Sequence, residues 1–279
     1  TMTPLNPSPE RNDLLAASAA GAIPLAVAAV ASQAKPGKSR WPARLDLLQS
    51  LSGLLLALFL MAHMAFVSSI LISHDAFYTV ARFFEGAYFL GKPYPILVSG
   101  VVAGVLALFI GHAWLALRKF PAGFRQYRAF VAHKSRLCHG DTSLWWLQVW
   151  TGFALFFMAT VHLYQMLMNP SLIGPYESAD RVWTGNLWPL YLLLLFAAEL
   201  HASVGLYRLA LKWGWFDAGD PNRSRRRLRW IKHGLSAFFI TLGLVTLGAY
   251  IDLGRAHAEH AGERYVPASQ SAPADSGRH

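Results

Sequence analysis

The chain has 279 residues, 54% hydrophobic and 14% charged, with a mean hydropathy of +0.32. Soluble domains carry roughly a quarter charged residues, so an ordinary soluble fold is excluded, and 17 Phe, 10 Trp and 10 Tyr exclude a disordered one. The single cysteine, Cys138, excludes an internal disulfide framework and any cysteine-held iron–sulfur or zinc site within the chain.

Leu14–Ala34 comes first: uncharged, Ala-rich and interrupted by Pro24. It reads as a signal peptide, a sixth span, or an amphipathic or disordered extension. A cleaved signal would invert every loop that follows. Glu10, Arg11 and Asp13 are not the basic flank such a signal carries, so residues 1–37 are expected to form a peripheral or disordered extension.

Five uncharged stretches follow: Leu47–Ser73, Pro93–Leu117, Thr142–Tyr176, Val182–Ala198 and Gly234–Ile251. Each can supply the roughly 20 apolar residues that a helix needs to cross about 30 Å of hydrocarbon. The third is too long for one span and must end near Asn169-Pro170 and Gly174-Pro175. The fourth runs on past Glu199 to Tyr207, leaving one acid inside an apolar helix. All are apolar on every face, without the alternation of a barrel strand. The expected fold is an all-α membrane protein, with five transmembrane helices bundled over residues 38–254. Residues 255–279 are expected to be a loose polar tail.

The net charge of +10 would suggest nucleic acid in a soluble protein. Here the basic residues have a topological pattern instead. Lys35, Lys38, Arg40 and Arg44 precede the first span; Arg118, Lys119, Arg125, Arg128, Lys134 and Arg136 follow the second. Arg208, Lys212, Arg223, Arg225, Arg226, Arg227, Arg229 and Lys232 separate the fourth from the fifth. The other side holds Arg82, Lys92 and Arg181, with Arg255, Arg264 and Arg278 in the tail. The asymmetry places the rich segments in the cytoplasm and the C-terminus outside. Nucleic-acid binding is not expected.

Four of the 11 histidines fall within spans: His63, His112, His162 and His201, one on each of four successive helices. A lone membrane histidine is often a buried polar group bonded to a neighbour; four in this pattern need a joint explanation. His63 lies 19 residues after Arg44 and His162 lies 21 after Asp141, about 30 Å above the cytoplasmic boundary. His112 lies six residues before Arg118 and His201 seven before Arg208, within about 10 Å of that boundary. Two pairs at two depths, about 20 Å apart, suit bis-histidine ligation of two haems, because each iron needs axial ligands on opposite faces. Gly53 and Gly152, ten residues before His63 and His162, and Gly111 and Gly205, near His112 and His201, are candidates to meet a porphyrin edge. Close helix packing is the alternative use of such glycines. His74, His133, His139, His233 and the tail histidines read as loop residues. Glu199, two residues before His201, is an intramembrane acid and a candidate proton relay.

The motifs Ser39–Asp46 (SRWPARLD) with Gln49-Ser50, Gly-His112-Ala before Arg118–Pro121, His139–Trp146 (HGDTSLWW), Val161–Tyr164 (VHLY) and Glu199–Asp217 resemble a known family. It is the dihaem cytochrome b membrane subunit of quinol:fumarate reductases, in the succinate dehydrogenase superfamily. The resemblance covers about residues 38–251. It implies two haem b groups, the proximal one ligated by His112 and His201 and the distal one by His63 and His162. It implies Gln49, Ser50, Trp145 and Lys212 as partners of proximal propionates and Arg181 as facing the distal haem. Glu85, on sequence grounds an ordinary solvated loop charge, matches the acid the family uses to take protons from menaquinol. Its position after the first helix suggests a place beside the distal haem without deep burial.

The resemblance further implies an electron-transfer subunit whose obligatory partners are an iron–sulfur subunit and a flavoprotein subunit, the latter reducing fumarate. Menaquinol would be its substrate, membrane lipid its surroundings and a dimer of heterotrimers a further expectation. Working in the succinate-oxidising direction is one alternative. A dihaem anchor of a hydrogenase or formate dehydrogenase is another, though it should not match Trp145-Trp146 and Lys212–Asp217. A non-redox membrane scaffold would leave the histidines without haem.

Overall fold

The computed structural model describes residues 39–120, 123–137, 140–216 and 219–271. The Leu14–Ala34 stretch, Cys138 and His139 lie outside them. The described residues from Leu45 onward form one compact unit. Among the described residues there is no strand.

Among the described residues five helices are long and apolar enough to cross a membrane. The first, α1 (Trp41–Val67), passes into a 3-10 turn at Ser68–Leu71. Ser73 then caps α2 (His74–Phe84), its hydroxyl accepting from Ala76 N at 2.9 Å. Gly86 turns the chain at φ +77°, where a Cβ would also stand 2.8 Å from Leu97 Cδ1. A short α3 (Ala87–Leu90) leads to α4 (Pro95–Leu117), with proline in its first turn. The helix α5 (Phe124–Leu137) precedes α6 (Gly140–Met168), which stops at the predicted Asn169-Pro170 break. Next come α7 (Pro175–Val182), α8 (Trp188–Trp213), α9 (Pro221–Ala256) and a short α10 (Ala268–Ser271).

Helix α8 begins at Trp188, not Val182, and three other features differ from expectation. The first helix starts two turns earlier than Leu47, so Asp46 is helical. The last begins at Pro221, not Gly234, taking in the whole arginine run. Asp220 caps it, accepting from Asn222 N at 3.1 Å and Arg223 N at 3.2 Å. Arginine is a good helix former, and charge ends an apolar run without ending a helix. The tail is not loose over its first residues. His257 is buried, bonds Asp180 through Nδ1 at 2.9 Å and stacks on Tyr176 at 4.2 Å. Gly262 N donates to the other Asp180 oxygen at 2.9 Å, and Tyr265 donates to Asp75 at 2.8 Å.

The bundle is apolar outside and comparatively polar within. Ile110, Phe157, Leu193 and Phe238 are each more than half exposed, as lipid-facing residues should be and soluble-protein residues should not. Ser52, Glu199, Ser203, Ser236 and Thr246 are buried. Helix α8 packs between α6 and α9, and α6 also packs on α4. At one end Ser68 bonds Thr246 at 2.8 Å, Tyr250 donates to Val67 O at 3.1 Å, and Ser99 donates to Leu167 O at 3.0 Å. Such pairs tie helices together where burial of apolar surface gives no drive, each contributing about 1 kcal/mol.

Candidate functional site

A cavity of about 1230 Å³ runs through the bundle, larger than the roughly 300–1,000 Å³ of a site for one small ligand. All four intramembrane histidines lie on its wall. They meet in two pairs. The rings of His63 (α1) and His162 (α6) have centroids 6.0 Å apart at 78°, and those of His112 (α4) and His201 (α8) 6.4 Å apart at 88°.

The second pair is held by its outer nitrogens. Ser52 Oγ gives its one proton to Gln49 O at 3.1 Å, so at 3.0 Å it accepts from His112 Nδ1. His201 Nδ1 donates to Gln148 O at 2.9 Å. Both rings are thereby Nδ1–H tautomers, with Nε2 left as a lone-pair donor. In the first pair His162 Nδ1 is buried with no hydrogen-bond partner, and its ring lies edge-on to Tyr191 at 5.5 Å.

The separation of the two levels can be read from two helices. A Cβ on Gly53 would stand 2.9 Å from His112 Cε1, and one on Gly152 would stand 3.0 Å from His201 Cε1. Gly53 precedes His63 by ten residues on α1, and Gly152 precedes His162 by ten on α6. Each helix therefore gives about 15 Å between levels, less than the 20 Å expected. The two glycines clear space for the imidazoles of the other pair. Gly111 has open space beside it, and a Cβ on Gly205 would meet Gln148 Nε2 at 2.9 Å.

The paired rings suit a six-coordinate iron. Two imidazole–metal bonds of about 2 Å on one axis place the ligating nitrogens about 4 Å apart and the ring centroids somewhat further. Between the pairs the cavity wall is apolar: Leu56, Leu60, Val105 and Leu195 are on it. The residues present fit two haem groups.

The cavity ends in basic side chains near the second pair. Gln49, Ser50, Trp145 and Lys212 line it there, with Lys119 and Arg208. Lys212 Nζ donates to Ser50 Oγ at 2.9 Å and to Asp46, which also receives Lys119. Gln49 Oε1 is buried with no partner, and Arg208 donates to Gln148 Oε1 at 2.6 Å. Two lysines on one carboxylate, with Arg208 on the neighbouring Gln148, leave this end positive, as anionic groups require. Sequence reasoning passed over Asp46, Lys119 and Gln148. The helical spacing of Asp46 to Gln49 and Ser50 was the available signal. Arg181 also lines the cavity, donating to Leu172 O and approaching Met166 Sδ at 3.9 Å.

Glu199 is buried on the cavity wall, and its Oε1 has no hydrogen-bond partner. Glu85 corrects expectation. It is fully buried, not a shallow loop charge, and pairs with Arg82 at 2.5 Å. It is not on the cavity wall, but its neighbours Ala81 and Phe84 are. Burial pushes its carboxyl above the usual carboxylate range, outweighing the pull of Arg82 and Arg264, with Glu177 adding to the rise. Beside it, Phe84 packs on Phe66 at 4.9 Å, and Phe83 on Phe89 at 5.5 Å.

Fold and site together define a multi-pass membrane protein with two histidine pairs facing each other inside the bundle. The family model for the succinate dehydrogenase/fumarate reductase transmembrane subunit matches residues 124–242. The chain is 55% identical over 223 residues to the fumarate reductase cytochrome b subunit of Helicobacter pylori strain 26695, covering 80% of this chain and 86% of that one. It is 52% identical over 217 residues to the protein of the same name from Wolinella succinogenes, covering 78% and 85%. The chain belongs to the family of fumarate reductase cytochrome b subunits.

Proposed function

We infer that the chain is the membrane anchor and electron-transfer subunit of a menaquinol:fumarate reductase, holding two b haems. The observation that carries this is the meeting of four intramembrane histidines in two pairs on the wall of one apolar cavity. His63 and His162 would ligate a distal haem, and His112 and His201 a proximal one. Bound there, the haems would supply one-electron carriers between menaquinol and the soluble subunits. Lys212, Ser50, Gln49 and Trp145, together with Lys119 and Arg208, would satisfy the proximal propionates, and Arg181 would face the distal haem. Asp46 holds Lys212 and Lys119 at this mouth until an anion takes its place.

The relatives' names support a place in a fumarate reductase complex; its partners there would be a flavoprotein and an iron–sulfur subunit, docked at the basic cytoplasmic face. A dimer of heterotrimers, and a C-terminus on the outer side, complete the reading. The chain itself would oxidise menaquinol: Glu85 takes a proton at the outer side, and Glu199 passes protons within the bundle. The direct test is redox titration of single histidine variants.

Two further outcomes are expected. Gly152→Val should push a methyl group into the space of the His201 ring, at a cost of about 1–3 kcal/mol. It should therefore weaken or shift the proximal redox component and leave the distal one, as read from reduced-minus-oxidised spectra. Glu199→Gln should retain both components but slow quinol-driven fumarate reduction by about tenfold or more, since a proton-transfer group contributes about 10²–10⁴. Unchanged turnover in that variant would make Glu199 a structural residue.

A further inference from the structure

The first turns of α9 carry a surface that neither the histidine pairs nor quinol oxidation uses. The buried face of this helix runs through Ser224, Leu228, Lys232, Ser236 and Phe239, at three- and four-residue spacing. Arg223, Arg226, Arg227 and Trp230 lie on the opposite face and line a cleft of about 330 Å³. Trp230 is 74% exposed. No acid lies between Arg223 and Trp230, and the carboxylate of Asp220 is already engaged at the helix N-cap. Beyond Trp230 the same face becomes apolar: Gly234 has open space beside it, and Phe238 and Val245 are more than half exposed. At 100° per residue, 223, 227, 230, 234, 238 and 245 fall within one stripe.

The order along this stripe is guanidinium, then indole, then exposed hydrocarbon. That is the order of a phospholipid from phosphate to acyl chain. Arginine forks match phosphate oxygens, and tryptophan prefers the level between headgroup and hydrocarbon. A soluble partner docking from water would have no use for Phe238 and Val245 below the indole. We propose that this face of α9 is a binding site for an anionic phospholipid. Its phosphate sits in the cleft of Arg223, Arg226 and Arg227, its glycerol region lies against Trp230, and one acyl chain runs over Gly234 and past Phe238. The site needs only that α9 crosses a membrane, and it is independent of haem ligation and of the quinol reading.

The test uses the intact complex in nanodiscs of phosphatidylcholine with a minor fraction of phosphatidylglycerol, followed by mild extraction and native mass spectrometry of retained lipid. The wild type should retain phosphatidylglycerol in preference to phosphatidylcholine. The triple variant R223Q/R226Q/R227Q should lose that preference by about tenfold or more, because each basic residue at a membrane surface adds a severalfold factor. The single variants Arg223→Gln and Arg227→Gln, on an exposed face, should each lose a few-fold, so the result does not depend on the triple variant folding. Trp230→Ala should reduce retention of both lipids. Excess glycerol 3-phosphate should displace nothing, and displacement would overturn the proposal in favour of a soluble-anion site. An unchanged lipid preference in the arginine variants would also overturn it. So would shedding of the soluble subunits with lipid retention intact, which would make the cleft a protein-docking surface.

Discussion

Redox titration of membranes carrying His63→Ala or His162→Ala is expected to lose one of two b-haem components, and His112→Ala or His201→Ala the other. The pairing follows from geometry: centroids at 6.0 Å and 6.4 Å leave each ring one partner across the cavity. An iron deprived of one of its two imidazoles would lose half of the side-chain bonds that hold it to the protein, and alanine offers no donor in its place. Levels about 15 Å apart also keep a histidine of one pair from replacing one of the other. The proximal loss should be sharper, because His112 and His201 are fixed by Ser52 Oγ and Gln148 O, whereas His162 Nδ1 has no partner. Removing an oriented ligand disrupts its outer bonds as well. If His63→Ala and His112→Ala remove the same component, the two-level pairing is wrong. The milder Ser52→Ala should keep the proximal haem while shifting its midpoint, because the hydrogen bond on Nδ1 sets the basicity of Nε2.

The apolar runs were legible because a membrane solvent demands about 20 uncharged residues per helix, and counting from charged boundaries sorted the histidines into the two pairs whose rings meet, at about 15 Å rather than 20 Å apart. Counting along a helix gives height but not direction. Gly53 and Gly152 were thus correctly placed ten residues below His63 and His162, but their contact with the other pair's rings depends on which way each helix faces its neighbour. The start of α9 was hidden for a different reason. Asp220 and Pro221 are ordinary helix-start signals, but the arginines after them resemble a loop when charge alone marks a span's end. Burial of Glu85 had no local signal at all. It sits between α2 and a glycine turn, and the groups that act on it, Arg264 and Glu177, come from the tail and from α7. Likewise His257 reads as a tail residue until Asp180 and Tyr176 are beside it.

Glu85→Gln is expected to preserve both haem components and dye-driven fumarate reduction by the soluble subunits, yet cut menaquinol-driven turnover to about one-hundredth or less. Oxidising menaquinol releases two protons with its two electrons, and a base must stand near the hydroxyl that gives each one up. Glu85 is fully buried, one residue from Phe84 on the cavity wall, and holds Arg82 at 2.5 Å. The amide has the same size and still accepts a bond from Arg82, so the fold around it should survive, but it takes no proton. Loss of a positioned base costs about 10²–10⁴ in rate. The pH dependence has a definite sign. Burial raises the Glu85 pKa above the ordinary carboxylate value in spite of Arg82 and Arg264. The ionised, proton-accepting form therefore begins to disappear on acidification at a higher pH than for a solvent-exposed glutamate. Menaquinol-driven turnover of the wild type should then fall on the acid side while dye-driven turnover does not. Arg82→Leu removes an opposing charge, so it should move that acid limb further toward neutral pH. A Glu85→Gln enzyme that keeps more than about a tenth of its quinol-driven rate would require the proton acceptor to be another group.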